Sequence, residues 1–196
     1  MPSSNRIRIV GGVWRSRQIS VLDQKDLRPS SDRVRETLFN WLGQDLMGLR
    51  VLDVFAGSGA LGFEAASRNA SQITLIEKDK KTYEQLIHQL ELLSSSAIPG
   101  RLTIIHADGI KFMQDLQDKT YELVFLDPPF SQPNLLEAAV KEAIRICEDQ
   151  AGGGIYIECP LQFDLSKLEP LMPNWIPSKK LETTQVKAVL FRHRSR

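Results

Sequence analysis

Short apolar runs alternate with amphipathic segments along most of the chain. The apolar runs predict strands at 49–55, 73–77, 102–106, 121–126, 154–158 and 186–191. The intervening segments have apolar residues at helical spacing and predict helices that end near 69 or span 79–93, 110–116 and 135–147. Apart from its last run, the region 163–192 is less regular. Strands that alternate with helices are typical of an α/β protein with a mostly parallel sheet and helices on both faces.

The pattern before residue 46 is different. Residues 6–21 alternate loosely around Gly11 and Gly12, which predicts a short hairpin or two strands. Ser30 or Ser31 is the predicted N-cap of a helix whose apolar residues are Val34, Leu38, Trp41 and Leu42. We therefore predict a small extension of hairpin and helix over 1–45, followed by the α/β domain over 46–196.

Composition argues against a membrane protein, a secreted protein and a metalloprotein. The 196 residues are 42% apolar and 25% charged, as in ordinary globular proteins, and no apolar run approaches the ~18 residues that span a bilayer. The N-terminus has no apolar signal core, and the two cysteines, Cys147 and Cys159, suit a reducing compartment. The three histidines are scattered without ligand spacing. We expect a cytoplasmic protein with no membrane contact and no metal site.

Charge is distributed unevenly, although the net charge is only +1. Residues 1–35 carry eight basic and three acidic residues, and the last five residues carry three arginines. The remainder has a net charge of −7. A basic beginning and end around an acidic body predict a polyanionic partner that binds the ends of the chain.

Acidic residues stand at the ends of four successive predicted strands: Asp53, Glu77, Asp108 and Asp127. Parallel sheets bind ligands beyond the carboxyl ends of their strands, where the strand order switches. The four acids are therefore predicted to meet at one ligand site.

A glycine loop opens the first helix of the domain. Gly57-Ser58-Gly59-Ala60-Leu61-Gly62 fits the pattern G-x-G-x-x-G, and Glu77 follows 20 residues after Gly57, placed to hold ribose hydroxyls. The motif alone fits both NAD and S-adenosylmethionine. Charge favours the second, because carboxylates repel a pyrophosphate, whereas Asp53 and Asp127 suit a sulfonium and an ammonium. Asp108 is placed to accept a hydrogen bond from an adenine amino group.

Asp127-Pro128-Pro129-Phe130 predicts methylation of an exocyclic amino group. The lone pair of such an amine is delocalised into the ring, so acceptors must orient its N–H groups while the lone pair faces the methyl donor. Asp127 and the Pro128 carbonyl can be those acceptors. The prolines stiffen the turn, and Phe130 offers a face on which an unpaired or flipped base can stack.

The sequence resembles a known family at several further motifs: Gly12–Arg15, Leu27–Ser30, Arg33–Leu42 and Gly59–Ala65. Together with the two motifs above, they resemble the bacterial 16S ribosomal RNA guanine-N2 methyltransferases (the RsmD family) from about Arg6 to Phe191. Ser30 stands where the family usually has threonine. The resemblance implies a Rossmann-like S-adenosylmethionine-dependent methyltransferase fold with a seven-stranded sheet, a guanine N2 target in assembling small-subunit RNA, and a position of Arg28-Pro29-Ser30 close to the cofactor.

Besides the catalytic turn, the chain has two sets of expected site residues, one for the cofactor and one for RNA. The expected contacts of the cofactor are Asp53, Phe55, Gly57, Gly59, Glu77, Lys78, Ala107, Asp108 and Asp127. The expected RNA contacts are Arg8, Trp14, Arg15, Arg17, Arg28 and Arg33. Arginine pairs with phosphate and tryptophan stacks on bases. The alternative is a solvated charged face, with Trp14 covering the sheet.

We therefore expect a monomeric enzyme that methylates guanine N2 in 16S ribosomal RNA. Three alternatives stay open from the residues alone. They are an amino methyltransferase that acts on adenine N6 in another nucleic acid or on a protein glutamine, an NAD-dependent oxidoreductase, and a non-catalytic RNA-binding module.

Overall fold

A seven-stranded sheet forms the centre of the protein. The computed structural model describes residues 6–21, 32–94, 97–132, 134–148 and 152–194. The described helices are α1 (Asp32–Leu42), α2 (Ala60–Ser67), α3 (Lys80–Leu93), α4 (Gly109–Gln114), α5 (Asn134–Ile146) and a 3-10 helix (Leu165–Leu171). The described strands are β1 (Arg6–Arg8), β2 (Gln18–Ser20), β3 (Arg50–Asp53), β4 (Gln72–Glu77), β5 (Arg101–His106), β6 (Leu123–Leu126), β7 (Gly154–Pro160), β8 (Trp175–Glu182) and β9 (Val186–His193).

The order of strands in this sheet is β5-β4-β3-β6-β7-β9-β8. The first five strands are parallel, and β9 and β8 are antiparallel additions at one side. The strand order reverses between β3 and β6, which makes their carboxyl ends the switch point of the sheet. The predicted mostly parallel, seven-stranded α/β fold is confirmed.

Helices cover both faces, and each face has its own buried core. Val51 of β3 packs with Leu38 of α1 and Leu61 of α2 on one face. Leu52, the next residue, packs with Met113 of α4 and Val140 of α5 on the other. This follows from the alternation of side chains along a strand, which sends neighbouring residues to opposite faces. No helix in the described ranges is long and apolar enough to cross a membrane.

Strand β8 was not predicted from the sequence. It is the edge strand of the sheet, and of its residues only Trp175 is buried, so it has no alternation of apolar and polar positions. Its pairing with β9 also shifts register between Pro177 and Lys179. Proline is tolerated at an edge because no second neighbour needs its missing N–H.

The N-terminal hairpin lies along α2. The Val10 amide donates to Glu64 Oε2 (2.8 Å), and the Val13 amide donates to the Ser67 carbonyl (2.8 Å). Gly12 has a φ of +73°, and a Cβ atom there would overlap the Ser67 carbonyl oxygen. The hairpin residue Ile9 belongs to the same core as the sheet. The division of the chain at 45/46 stays a prediction, but its two parts share this core.

Candidate active site

A cavity of about 440 Å³ opens at the carboxyl ends of β3, β4 and β6. Most of the predicted cofactor contacts line it, namely Asp53, Phe55, Gly57, Glu77, Lys78, Asp108 and Asp127, and so does the Pro128–Phe130 turn. Gly59 and Ala107 are not among its described lining residues. The topology therefore brings together four acids that are up to 74 positions apart in the sequence.

Gly59 shapes the glycine loop from behind the cavity. It is the N-cap of α2 with a φ of +78°, and a Cβ atom there would lie 2.5 Å from the Phe63 ring. Glu77 braces the same loop, because its Oε2 accepts from the Gly57 amide (2.9 Å) and its Oε1 from the Asp79 amide (2.7 Å). The loop is therefore held by a carboxylate that also lines the cavity.

Asp53 occupies the N-terminus of α2. Its Oδ2 accepts from the Gly62 amide (3.0 Å), and the residue is only 2% exposed. Amides at a helix N-terminus are where a pyrophosphate binds in dinucleotide sites. Here a carboxylate takes that position, which disfavours a phosphate ligand. Burial raises the pKa of Asp53 to about 7, against the lowering effect of the Gly62 hydrogen bond and with a smaller raising effect from Glu77.

Asp53 should make the stability of the protein depend on pH. Because its folded-state pKa lies above the ordinary 3.8, the unfolded chain loses the proton first, and the free energy of unfolding should fall as pH rises from about 4 to about 7. Asp53→Asn cannot ionise, so denaturant titrations from pH 4 to 8 should show it gaining about 4 kcal/mol relative to wild type across this window, since each pKa unit corresponds to ~1.4 kcal/mol. The exposed-site variant Asp115→Asn is the control, and parallel pH profiles for Asp53→Asn and wild type would contradict the assignment.

Asp108 caps α4 and forms an ion pair at the rim of the cavity. Its Oδ1 accepts from the amides of Ile110 (3.1 Å) and Lys111 (3.2 Å), and its Oδ2 lies 2.9 Å from Lys78 Nζ. The Lys78 ammonium lowers the pKa of Asp108. That Asp108 accepts a hydrogen bond from the adenine amino group stays a prediction, which the position of Asp108 on the cavity wall allows.

The catalytic turn follows β6 directly. Asp127 is half-buried and Pro128 is buried, whereas Phe130 is 37% exposed at the mouth of the cavity. The Gln132 amide donates to the Pro129 carbonyl (3.0 Å), which closes the turn before α5. The turn therefore places a carboxylate toward the cavity and an aromatic face toward solvent.

The structure corrects one predicted RNA contact. Trp14 is 1% exposed and packs edge-on against Phe63, with ring centroids 6.3 Å apart. The prediction that Trp14 stacks on a base is wrong, because its ring is part of the core between the hairpin and α2. Arg35, which the sequence places in the same basic segment, is also fully buried, and its Nη2 donates to the Arg8 carbonyl (2.9 Å) and to Asp32 (2.5 Å).

The other predicted RNA contacts differ in exposure. Arg8, Arg15 and Arg33 are exposed. Arg17 is half-buried, and its Nη1 donates to the carbonyls of Leu92 (3.3 Å) and Leu93 (3.2 Å) at the end of α3. Arg28, the Arg28-Pro29-Ser30 segment and the predicted helix cap lie outside the described residues.

Sequence reasoning missed several residues that line the cavity, among them Thr82, Ile110 and Leu135. Thr82 and Ile110 stand in the first turns of α3 and α4, just beyond the acids that end the preceding strands. The signal that could have found them is this position, since the first turn after a parallel strand faces the carboxyl edge of the sheet. In the described part of the chain, no group of three or more His, Cys, Asp or Glu residues could hold a metal ion.

Comparison with known proteins decides the family. Residues 7–189 match the family described as Conserved hypothetical protein 95. The chain belongs to this family. The family resemblance predicted from the sequence is confirmed by curated relatives named ribosomal RNA small subunit methyltransferase D. The relative from Escherichia coli (strain K12) is 41% identical over 177 residues, which cover 88% of this chain and 82% of the relative.

Two further comparisons extend over nearly the whole chain. The ribosomal RNA small subunit methyltransferase D of Haemophilus influenzae (strain ATCC 51907 / DSM 11121 / KW20 / Rd) is 37% identical over 197 residues, covering 97% of this chain and 96% of the relative. A solved structure of the putative methyltransferase yhhF from Escherichia coli has a TM-score of 0.81 and 36% identity, covering 97% of this chain and all of that one. Both matches thus cover 97% of this chain.

Proposed function

We propose that this protein transfers the methyl group of S-adenosylmethionine to the exocyclic N2 amino group of a guanosine in 16S ribosomal RNA, with S-adenosylhomocysteine as the product. It would act as a monomer in the cytoplasm, on an assembling small ribosomal subunit. The observation that carries the proposal is the Asp127–Phe130 turn at the mouth of an acid-lined cavity. The chain's relatives named ribosomal RNA small subunit methyltransferase D support ribosomal RNA as the molecule that is methylated.

The cavity fits S-adenosylmethionine better than a dinucleotide. Its carboxylates suit a ligand that carries a sulfonium and an ammonium, and Asp53 holds the helix N-terminus that a pyrophosphate would need. Its volume of about 440 Å³ lies in the range of small-ligand sites. In this proposal Glu77 holds the ribose, and Asp108 and Ile110, which also line the cavity, contact the adenine. When bound, S-adenosylmethionine supplies a methyl group on a positively charged sulfur that leaves as a neutral thioether.

The turn prepares the amino group for attack. Asp127 and the Pro128 carbonyl accept hydrogen bonds from the two N–H groups of the amine. This directs the nitrogen lone pair toward the methyl donor. The nitrogen gains the methyl carbon and loses one proton, which Asp127 is placed to accept. Phe130 stacks on the base after the base has left its helix.

One labelling experiment tests this function. The protein is incubated with radiolabelled S-adenosylmethionine and small-subunit RNA that lacks the modification, either naked or in protein-bearing particles or whole subunits, and the labelled nucleoside is identified after digestion. We expect N2-methylguanosine, and the three substrates identify the form on which the enzyme acts. Label found only in N6-methyladenosine or in protein would overturn the proposal in favour of another amino methyltransferase.

The exposed arginines Arg8, Arg15 and Arg33 are proposed to bind RNA phosphates. Replacing all three with alanine should weaken RNA binding and reduce the slope of log K against log salt by about 2, since each phosphate contact contributes ~0.7–0.9. Cofactor affinity should not change. Arg17 is left intact because of its bonds to α3.

The control for this triple variant is Arg101→Ala, an exposed arginine that begins β5 at the opposite edge of the sheet from the cavity. Its salt slope should equal that of wild type. An unchanged affinity and slope in the triple variant would show that the extension is not an RNA-binding surface.

A further inference from the structure

A second, smaller recess lies beyond the catalytic turn. The main cavity is lined by residues at the ends of β3 and β4 and at the start of α4, whereas the second recess is lined by Leu136, Glu158–Pro160 and Phe163. The two spaces share the Pro128–Phe130 turn and Gln132. This division follows the sheet order, in which β6 stands between β3 and β7. With the methyl donor over β3 and β4, the recess over β7 is the space on the other side of the catalytic turn, where an acceptor base would meet Asp127.

The recess is about 10 Å³ in this structure, so a base must widen it. Phe130 and Gln132 form part of its wall, and both are exposed side chains on the turn. Their movement would open the recess without disturbing the buried strand β7. Among its described lining residues, Glu158 is the only carboxylate.

The register of the sheet sets Glu158 beside Asp127. Phe125 of β6 pairs with Tyr156 of β7, and Leu126 pairs with Ile157, so the next residues along both strands are Asp127 and Glu158. Alternation sends the side chains of Phe125 and Asp127, and of Tyr156 and Glu158, to the same face. The Tyr156 hydroxyl donates to Glu158 Oε2 (3.0 Å), which agrees with this assignment. Asp127, the first residue after β6, and Glu158 of β7 are therefore next to each other when this register is continued by one residue.

Tyr156 fixes the orientation of the Glu158 carboxylate. Tyr156 is fully buried and Glu158 is 3% exposed. Burial, followed by the nearby Glu158 and Asp127 charges, raises the pKa of Tyr156 well above its ordinary value, so the phenol stays a donor. The hydrogen bond from the phenol holds the Glu158 carboxylate in one orientation. Glu158 is therefore a preorganised acceptor next to the catalytic carboxylate.

We propose that Glu158 selects guanine by accepting a hydrogen bond from its N1–H while Asp127 holds the N2 amino group. This inference rests on the proposed function. Guanine has adjacent N1–H and N2–H donors on its Watson–Crick edge, which match two adjacent carboxylates. Adenine has a lone pair at N1 that a carboxylate repels, so the same pair of residues rejects adenine N6 as a target. Glu158 is thus a specificity-determining residue, separate from the groups that hold the cofactor.

The test compares two RNAs that differ at one base. The guanosine that the wild-type enzyme labels is mapped, and it is replaced by 2-aminopurine, which keeps the N2 amino group but has a lone pair at N1. Wild type should prefer guanine by about 100-fold or more in kcat/KM, because 2-aminopurine leaves a buried acceptor unpaired. Glu158→Gln can turn its amide donor toward that lone pair, so its preference should fall by about tenfold or more.

Three controls make the outcome decisive. Glu122→Gln changes another buried acid, which binds Arg50 at the start of β3, at the end of the strands away from the cavity. It should keep the wild-type preference. Tyr156→Phe removes the donor to Glu158 and should lower the preference by about threefold; it decides the matter if Glu158→Gln does not fold. Cofactor affinity of both site variants, measured by calorimetry, should stay at the wild-type value.

The two proposals fail in different ways. A wild-type enzyme that labels no guanosine overturns the proposed function. The role of Glu158 is overturned if the wild-type enzyme labels guanosine and Glu158→Gln keeps the wild-type preference for guanine over 2-aminopurine. A lower kcat of Glu158→Gln with that same preference overturns it as well, because it indicates only a structural role.

Discussion

Asp127→Ala should lower kcat for methyl transfer by about 100- to 1000-fold, as does the loss of one preorganised group that acts on the transition state. Asp127 stands at the end of β6 on the wall of the cavity, between the residues proposed to hold the cofactor and the proposed place of the base. Its main role is to orient an amino group during attack, so the loss should appear chiefly in kcat. Asp127 also lines the cofactor cavity, so affinity for S-adenosylmethionine should fall as well, but by about tenfold or less.

Single-turnover rates and calorimetric titration separate these two quantities. Asp127→Asn is the informative second variant, because the amide oxygen of asparagine still accepts a hydrogen bond from one N–H group. It should keep much more activity than Asp127→Ala. Asp115→Ala, an exposed acid after α4, is the control and should have wild-type turnover. Near-normal turnover of Asp127→Ala would remove Asp127 from the mechanism.

Glu77→Ala should raise the Kd for S-adenosylmethionine by about 100-fold, which corresponds to the loss of one or two hydrogen bonds to a charged group. Glu77 accepts from the Gly57 and Asp79 amides, so its removal frees the glycine loop at the same time as it removes the proposed acceptor for the ribose. At saturating cofactor, kcat should fall much less than in Asp127→Ala.

Equilibrium titration with S-adenosylmethionine measures this effect. Glu84→Ala is a matched control, because Glu84 is an acid on the exposed side of α3 whose ion pair with Lys80 is 3.9 Å long. The Kd of Glu77→Gln should lie between those of Glu84→Ala and Glu77→Ala, since one amide oxygen can replace only one of the two carboxylate oxygens. A Kd for Glu77→Ala within about threefold of wild type would show that the loop does not depend on this carboxylate.

The sequence alone determined six of the seven strands of the sheet and the acids of the cavity wall. Buried parallel strands are continuous apolar runs, and their carboxyl ends share one edge, so acids such as Asp53, Glu77 and Asp127 could be placed together without coordinates. The glycine loop and the proline turn are local motifs, whose conformations depend on their own residues. The guanine target came from the family resemblance, and the motif by itself predicts only an amino group.

Only the tertiary structure decided what depends on contacts between distant segments. Trp14 and Arg35 are residue types that are typical of an RNA-binding surface, but packing against α2 and the hairpin buries them. Strand β8 exists because β9 offers it an edge, not because its own residues alternate. The proximity of Asp127 to Glu158 follows from the register of β6 on β7, which no local pattern encodes. Local sequence thus determined the elements and the motifs they carry, whereas burial and register, which are set by long-range packing, decided which side chains meet.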